Sequence, residues 1–359
     1  MNAEEFIKQP LISYLGNKRK LIHVISDAIE TINPRTAADA FSGSGVVSRA
    51  LLTKCSDKVY VNDFEKYCET MSQCFLCTPS AEDQRTIEEH ITAMNACPDA
   101  IGVVSDLYAP RNSSNVQPGE RMFYTAENAA RLDGMIAYVS QNVPRRLWPY
   151  CLAPVLIQAT IRCNTSGVFN AFHKAWGGLK AEGRAPKVKR IVGRIEISPP
   201  KWYKNAPPVD VHCEDAFEFI QKLPDTLDLI YLDPPYNKHT YGSNYFMLNV
   251  ILDAVDGKRP ETISDVSGIP SNWKRSVYYK KREMRGEMER LLDVATRKAR
   301  NVLVSFSDEG FITPDEWVEI LNKIGREWRV IETDYRRYGG GRVTESLYMI
   351  SQKRASFIL

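Results

Sequence analysis

The sequence has 359 residues, of which 43% are hydrophobic, and it carries 47 Lys and Arg against 44 Asp and Glu. This is the composition of a folded protein with room for one large domain, or for a core domain with an insertion. It contains no apolar run long enough to span a bilayer, and no apolar signal-peptide core follows Met1. We therefore expect a cytoplasmic protein with reduced cysteines and no membrane partner.

The first informative segment covers residues 35–65. Within it, RTAADAF is typical of a short strand, SGSG of a tight glycine turn, VVSRALLTK of a helix and DKVYVNDFE of a second strand. This order predicts a β-α-β unit that opens a doubly wound parallel sheet. The glycine turn would then present backbone N–H groups at the carboxyl end of the first strand, where such sheets bind ligands.

An acid follows the second predicted strand. Asp63 lies 20 residues after Gly43, which is the usual layout for an adenosine-containing ligand whose ribose hydroxyls bind the acid. The dinucleotide fingerprint requires a third glycine where this chain has Ser48, so a pyrophosphate ligand is disfavoured. Taken alone, FSGSG equally fits a glycine turn in any α/β protein.

Two cysteines of the following segment, Cys74 and Cys77, form a lone Cys-x-x-Cys pair. A zinc site needs a second such pair or suitably spaced histidines, and the sequence offers neither. We therefore predict no metal site and interpret the pair as half-buried helix cysteines.

A long mixed segment separates the two sets of sheet elements. Helices are predicted at residues 82–96, 125–142 and 151–163. A polar loop is predicted at 111–120, and residues 176–194 form a Gly/Lys/Arg-rich stretch. A parallel sheet interrupted in this way indicates an inserted, substrate-facing domain. We predict an α/β fold in three parts, with residues 1–65 and 206–359 as the halves of one catalytic domain and residues 66–205 as the insert.

Sheet elements resume near residue 209. PVDVHCEDAFEFI is typical of a strand followed by a turn and a helix, and LDLIYLDPPY of a buried strand. A helix near 282–300 is predicted to precede the strand NVLVSFS. EWRVIETDYRRY and ESLYMIS are predicted to form a closing antiparallel pair.

The buried strand ends in Asp233-Pro234-Pro235-Tyr236. The two prolines restrict the backbone, so the Asp233 carboxylate and the Pro234 carbonyl become two acceptors in a fixed geometry. An exocyclic amine has two N–H donors for such a pair, and the Tyr236 ring offers a face to a planar base. The set fits a flipped-out nucleobase that presents its amino group to a methyl sulfonium. The plain alternative is a Pro-Pro turn after a strand.

Together these motifs resemble the α-group of adenine-specific DNA methyltransferases, in which a cofactor half, a target-recognition insert and a catalytic half follow one another. The resemblance covers most of the chain, and the acid-Pro-Pro-Tyr step is its most specific element. It rests on YLGNKRKL (14–21), DAFSGSG (39–45), VNDFE (61–65), CEDAFEFI (213–220), DPPYNKHTYGSNYFML (233–248), VSFSDEGFI (304–312) and RVTESLYMI (342–350). The fold it implies is the Rossmann-like sheet of S-adenosylmethionine-dependent methyltransferases with a largely helical insert.

The resemblance also implies site residues. By position, S-adenosylmethionine would contact Tyr14, Lys18, Phe41, Ser42, Gly43, Gly45, Asp63, Phe64, Asp215 and Asp233. In that set Asp63 would bind the ribose and Asp215 the cofactor adenine. Asp233, Pro234, Pro235 and Tyr236 would hold the target adenine for direct methyl transfer to its 6-amino group. The helix MLNVILDAV departs from a more polar family pattern, which leaves the role of Asn249 open.

The substrate implied by the resemblance is double-stranded DNA, and a cognate restriction endonuclease is a compatible partner. The stretch RCNTSGVFNAFHKAWGG (162–178) resembles the part of the family that approaches DNA. Its candidates for phosphate and base contacts are Asn170, His173, Lys174 and Trp176, with an ordinary polar loop as an equal alternative. GERMFYTAENAARLD (119–133) is predicted to be a second DNA-facing element.

Two other functions stay open at this point. Amino-methyltransferases that act on ribosomal RNA share the acid-Pro-Pro-Tyr step, but they resemble a smaller core without the long insert. A catalytically dead nucleic-acid-binding module could keep the fold, although the intact glycine turn, ribose acid and catalytic step argue against it. Cytosine ring methylation is excluded, because it needs a Pro-Cys nucleophile and no cysteine of this chain follows a proline.

Overall fold

The computed structural model describes residues 1–178, 184–236, 238, 240–336 and 342–352. Asn237 and His239 of the predicted catalytic motif and residues 179–183 of the Gly/Lys/Arg-rich stretch lie outside the described residues. The strands in the described part are β1 Thr36–Asp39, β2 Lys58–Asn62, β3 Val209–His212, β4 Leu227–Leu232, β5 Ala299–Ser307, β6 Glu327–Arg336 and β7 Arg342–Ser351.

These strands form one sheet in the order β3-β2-β1-β4-β5-β7-β6. The pairs from β3 through β5 are parallel, and β7 runs antiparallel to both β5 and β6. The predicted parallel sheet and its closing antiparallel pair are therefore confirmed. The strand order reverses between β1 and β4, so the carboxyl ends of these two neighbours frame the crevice where doubly wound sheets bind ligands.

Helices connect the strands and build the insert. They are α1 Ala3–Lys8, α2 Ile22–Ile32, α3 Val46–Lys54, α4 Lys66–Leu76, α5 Ala81–Ala96, α6 Val103–Tyr108, α7 Ala126–Asn142, α8 Trp148–Ile161, α9 Arg184–Val192, α10 Ala216–Lys222, α11 Tyr241–Asn244, α12 Phe246–Val255, α13 Lys281–Lys298 and α14 Pro314–Ile324. The predicted helices of the insert correspond to α5, α7 and α8, and the helix predicted near 282–300 is α13. In the part of the chain that the structure describes, none of these helices has the length and apolar character needed to cross a bilayer.

Helix α4 was not among the helices predicted for the insert, although Cys74 and Cys77 were interpreted as helix cysteines. Its buried face contains polar and small residues such as Thr70, Ser72 and Cys74, so it lacks a clear apolar stripe. Cys74 is fully buried in this helix, and Cys77 is partly exposed just after it. The prediction of half-buried helix cysteines therefore underestimated the burial of Cys74. Burial raises the pKa of both thiols, that of Cys77 to about 11.

Alternation along the sheet gives each face its own apolar cluster. In β4, Ile230 and Leu232 pack with α10, α13 and α14, whereas Leu229 and Tyr231 pack with α1, α2 and α3. A separate cluster joins the helices of the insert, from α4 to α8, to α12 of the catalytic half. Because α12 begins directly after residues 233–245, the segment that follows β4 and is called the catalytic loop below, this shared cluster holds the insert beside the crevice.

Candidate active site

The crevice between the ends of β1 and β4 collects most of the predicted site residues. The predicted residues that line it are Tyr14, Lys18, Phe41, Ser42, Gly43, Asp63, Phe64, Asp233 and Pro235. The strand register explains the meeting, because Asp39 of β1 pairs with Tyr231 of β4. The glycine turn and Asp233 therefore follow neighbouring strands at the same height.

The glycine turn has a conformation that requires glycine. Gly43 and Gly45 have φ values of 50° and 71°, in the left-handed region that side chains disfavour. A Cβ atom on Gly43 would lie 2.8 Å from Cε1 of Tyr14. Gly45 immediately precedes α3 as its N-cap, so it shapes the turn without lining the crevice.

Asp63 braces this turn. Its Oδ2 accepts a hydrogen bond from the Gly43 N–H at 2.7 Å, and its Oδ1 accepts one from the Glu65 N–H at 3.0 Å. Burial raises the pKa of Asp63, although these hydrogen bonds oppose that effect. Each carboxylate oxygen has a second lone pair, so the predicted ribose contact fits this geometry and stays a prediction.

Asp39 is a crevice residue that the sequence analysis missed. It is 1% exposed, and it accepts hydrogen bonds from the Ser48 hydroxyl at 2.6 Å and from the Phe41 N–H at 3.3 Å. Burial raises its pKa to about 7 against those bonds. Ser48, which stands where a third glycine was expected, thus anchors the acid at the end of β1. The available signal was an acid at a strand end directly before the glycine motif.

The Asp233 carboxylate meets a buried lysine. Lys18 is 4% exposed, and its Nζ lies 2.8 Å from Asp233 Oδ1 and 5.4 Å from the centre of the Tyr236 ring. Burial raises the pKa of Asp233 to about 6, and the Lys18 ammonium limits that rise. The ion pair with Lys18 favours the ionised form of this carboxylate, which can accept hydrogen bonds. The resemblance implied only a cofactor contact for Lys18, so its ion pair with Asp233 was not expected.

Aromatic rings fasten the N-terminal segment to the catalytic loop. The Tyr14 ring stacks on those of Tyr241 and Tyr245, with ring centres 5.0 Å apart in both pairs. The Tyr245 hydroxyl accepts a hydrogen bond from the Leu15 N–H at 2.8 Å, and the Tyr241 hydroxyl donates one to the Leu15 carbonyl at 3.0 Å. These contacts place Tyr14 against the glycine turn and Lys18 against Asp233.

Asn249, whose role the sequence left open, connects α12 to the start of α4. Its Nδ2 donates to Glu65 Oε2 at 2.8 Å, and its Oδ1 accepts from the Tyr67 N–H at 3.2 Å. Glu65 lines the crevice, and burial raises its pKa to about 7. Sequence analysis missed Glu65 because a glutamate before a helix is an ordinary first-turn residue.

The segment after α12 adds two further residues to the crevice, Ser276 and Tyr279. The Tyr279 hydroxyl accepts a hydrogen bond from the Tyr241 N–H at 3.0 Å, which joins this segment to α11. Its sequence has no helix or strand periodicity, so no signal in it pointed to the site.

Other predicted residues lie outside the lining of the crevice, although the structure describes all of them. Pro234 and Tyr236 are buried beside it, and the Tyr236 ring packs 5.3 Å from that of Phe306. Asp215 caps α10, where its Oδ1 accepts hydrogen bonds from the N–H groups of Phe217 and Glu218. A contact between Asp215 and the cofactor adenine stays a prediction.

The loop at 162–178 is organised by Asn164, which is fully buried. Its side chain donates to the Met122 and His173 carbonyls and accepts from the Gly177 N–H. Asn170 and Lys174 are exposed on this loop.

Two of the four DNA candidates are held by the protein itself. The Trp176 indole N–H donates to the Ser113 carbonyl at 3.0 Å, and the His173 ring lies 3.4 Å from the Ser166 hydroxyl. Most of 119–133 is buried beneath the loop, so that segment is not the exposed DNA-facing element that we expected.

The loop at 162–178 also touches the catalytic loop. The Phe169 N–H donates at 2.7 Å to the carbonyl of Asn244, which is the last residue of α11. This contact joins the loop at 162–178 to α11.

The fold and site are thus a doubly wound sheet with one reversed strand, in which a glycine turn faces an acid across the crevice at the switch point where such sheets bind ligands. The model of the D12 class N6 adenine-specific DNA methyltransferase family matches residues 14–316, and the chain belongs to that family. It is therefore an enzyme that uses S-adenosylmethionine to methylate the 6-amino group of adenine in DNA. The open alternatives, an RNA-directed enzyme and a dead binding module, are not supported by this membership.

Similar proteins include type II methyltransferase M.CviAII of Paramecium bursaria Chlorella virus 1, which is 28% identical over 91% of this chain and 92% of its own length. Type II methyltransferase M.NlaIII of Neisseria lactamica is 24% identical over 91% of this chain and 92% of its own length. Among solved structures, a SAM-dependent methyltransferase from Agrobacterium tumefaciens is 12% identical, with a TM-score of 0.35 over 94% of this chain and 62% of that chain.

Proposed function

We propose that Asp233, Pro234 and Tyr236 hold a flipped-out adenine while S-adenosylmethionine occupies the crevice beside them. The observation that carries this proposal is that the glycine turn and the Asp233 carboxylate line one crevice. They follow β1 and β4, which are hydrogen-bonded neighbours about 4.8 Å apart. A cofactor on the turn and a base on Asp233 would thus meet at reacting distance.

The crevice is suited to a polar ligand. The Ser42 hydroxyl is buried without a hydrogen-bond partner among the described residues, and a buried polar group in that condition is costly unless a ligand or water completes it. The positive φ values of Gly43 and Gly45 leave the backbone of the turn open to close approach. Residues Ser42, Gly43 and Asp63 would hold the methionine and ribose parts of S-adenosylmethionine.

The residues around Asp233 can activate an aromatic amine. The Asp233 carboxylate and the Pro234 carbonyl would each accept a hydrogen bond from one N–H group of the adenine 6-amino group. These two hydrogen bonds would turn the nitrogen lone pair toward the methyl donor. S-adenosylmethionine supplies an electrophilic methyl group on a sulfonium. The amine becomes positive as it gains the methyl group, and the adjacent Asp233 carboxylate stabilises that charge and can receive the leaving proton.

We also propose that the insert at 66–205 reads the DNA sequence and that residues 1–65 and 206–359 form the catalytic domain. Support comes from the loop at 162–178, which exposes Asn170 and Lys174, is organised by the buried Asn164 and contacts α11 through Phe169. Such a loop can contact bases and phosphates next to a flipped adenine.

Substitutions in this loop should separate the two kinds of contact. Lys174→Ala should weaken binding to cognate and single-mismatch duplexes alike and reduce the salt slope by about one, because it removes a phosphate contact. Asn170→Ala should instead cost about 1–3 kcal/mol of discrimination at one base pair. Titrations of both duplexes at several salt concentrations measure the two effects. Lys323→Ala, an exposed lysine of α14, is the matched control and should change neither; equal behaviour of the three variants would argue against the loop.

Sequencing tests the proposed specificity directly. Expression in a host without adenine methylation should place N6-methyladenine in a single sequence context, readable by long-read sequencing of the host DNA. Methylation spread over unrelated contexts would contradict a sequence-reading insert.

We further propose action in the cytoplasm and pairing with a restriction endonuclease. The pairing is checked by the resistance of the methylated DNA to an endonuclease that cuts the same sequence.

A further inference from the structure

A third charged group accompanies Lys18 and Asp233. Glu345 of β7 is 3% exposed, and its Oε1 lies 2.9 Å from the Lys18 Nζ. The same ammonium lies 2.8 Å from Asp233 Oδ1, so one buried lysine lies between two carboxylates that are more than 100 residues apart in the chain. Its ammonium also contacts the Gly16 carbonyl at 3.3 Å.

Glu345 is exceptional in its lack of other partners. Within the described ranges, the Lys18 ammonium at 2.9 Å from Oε1 is the only polar group that its carboxylate contacts, and Oε2 has no hydrogen-bond partner. Removing a carboxylate from water is expensive, and one ion pair often fails to repay that cost. Lys18 and Asp233 alone would already form a neutral pair. The second carboxylate therefore makes little sense as a contribution to stability.

We propose that Glu345 is a positioning residue for methyl transfer, which acts on Asp233 through Lys18. Two carboxylates share the single ammonium, so Asp233 is not fully neutralised by its partner. The Asp233 carboxylate then remains a hydrogen-bond acceptor strong enough to bind the adenine amine, while the Lys18 ammonium stays against the Tyr236 ring. This inference rests on the proposed contact between Asp233 and the target amine.

The charges around Asp233 come from several elements. The groups that face it are Lys18 from the N-terminal segment, Asp39 of β1, Tyr231 of β4, Tyr241 of α11, Tyr236, and Glu345 of β7. Repulsion from Glu345 raises the pKa of Asp233, and attraction to Lys18 lowers it. Loss of the Glu345 charge should therefore lower the pKa of Asp233 and weaken it as an acceptor.

The test is Glu345→Gln, which keeps the shape and removes the charge. We expect kcat to fall about tenfold and the acid limb of the pH profile of kcat to move to lower pH, while the KM for S-adenosylmethionine changes by less than about twofold. A merely structural role would lower activity without moving the limb. Glu332→Gln, an exposed glutamate of the neighbouring strand β6, is the matched control. Wild-type kcat and an unmoved limb in Glu345→Gln would overturn the proposal.

A double-mutant cycle shows whether the effect passes through Lys18. In a Lys18→Met background, adding Glu345→Gln should lower kcat by clearly less than tenfold, because only the direct repulsion between the two carboxylates then remains. An additive loss would overturn the proposal. If Glu345→Gln folds poorly, kcat is taken per folded molecule, counted by titration with S-adenosylmethionine, so that misfolded protein does not enter the comparison. Asp233→Asn distinguishes a failure of the proposed contact between Asp233 and the amine from a failure of the role proposed for Glu345. Normal turnover in that variant would refute the contact between Asp233 and the amine, whereas an inactive Asp233→Asn beside a normal Glu345→Gln would refute only the role of Glu345.

Discussion

Asp233→Ala should lose most methyl transfer while the protein stays folded and binds S-adenosylmethionine. The variant removes the charged acceptor for the adenine amine, and each missing contact of this kind costs on the order of 2–4 kcal/mol of transition-state stabilisation, or roughly 30- to 1,000-fold in kcat. The fold should survive because Asp233 lies in the loop after β4. Lys18 would also keep Glu345 as a partner at 2.9 Å, so no buried ammonium is left without a carboxylate.

Single-turnover methyl transfer under saturating DNA and cofactor gives the relevant rate, and calorimetric titration gives the cofactor affinity. Asp233→Asn separates charge from shape, because it keeps the size of the side chain but replaces one acceptor oxygen with a donor. We expect a loss similar to that of Asp233→Ala. Asp225→Ala, an exposed aspartate before β4, should retain normal turnover. A kcat close to that of the wild type in Asp233→Ala would remove Asp233 from the reaction.

The sequence predicted the crevice well because its two sides are local patterns. A strand, a glycine turn and a helix encode the β1 side, and a buried strand that ends in Asp-Pro-Pro-Tyr encodes the β4 side. The order of a doubly wound sheet then brings the two sides together by rule. Asp39 could have been included on the same grounds, since it ends β1.

Other contacts depend on topology that no local pattern records. Glu345 reaches Lys18 because β7 inserts between β5 and β6, and Asn249 reaches Glu65 because α12 packs into the insert. These partners lie far apart in the chain, and a buried glutamate in a strand gives no sign of which cation it meets. Asp215 shows the opposite limit, because an acid before a helix fits a cap and a ligand contact equally well.

The fold also predicts a strong effect at the glycine turn. In Gly43→Ala, the added Cβ would lie 2.8 Å from Tyr14 Cε1 at a φ of 50°, and Tyr14 cannot retreat because it stacks on Tyr241 and Tyr245. Overpacking of this kind costs about 1–3 kcal/mol, so we expect the Kd for S-adenosylmethionine to rise roughly ten- to a hundredfold. Calorimetric titration measures this Kd.

Gly325→Ala separates the clash from the backbone strain. Gly325 has a φ of 72° at the end of α14, and nothing lies within 4 Å of the position of its Cβ. Both variants meet the left-handed penalty of about 1–2 kcal/mol, which lowers the free energy of unfolding. Only Gly43→Ala should weaken cofactor binding. If Gly325→Ala raised the Kd equally, general destabilisation would explain both results; if Gly43→Ala bound S-adenosylmethionine normally, the turn would not be the surface that the cofactor contacts.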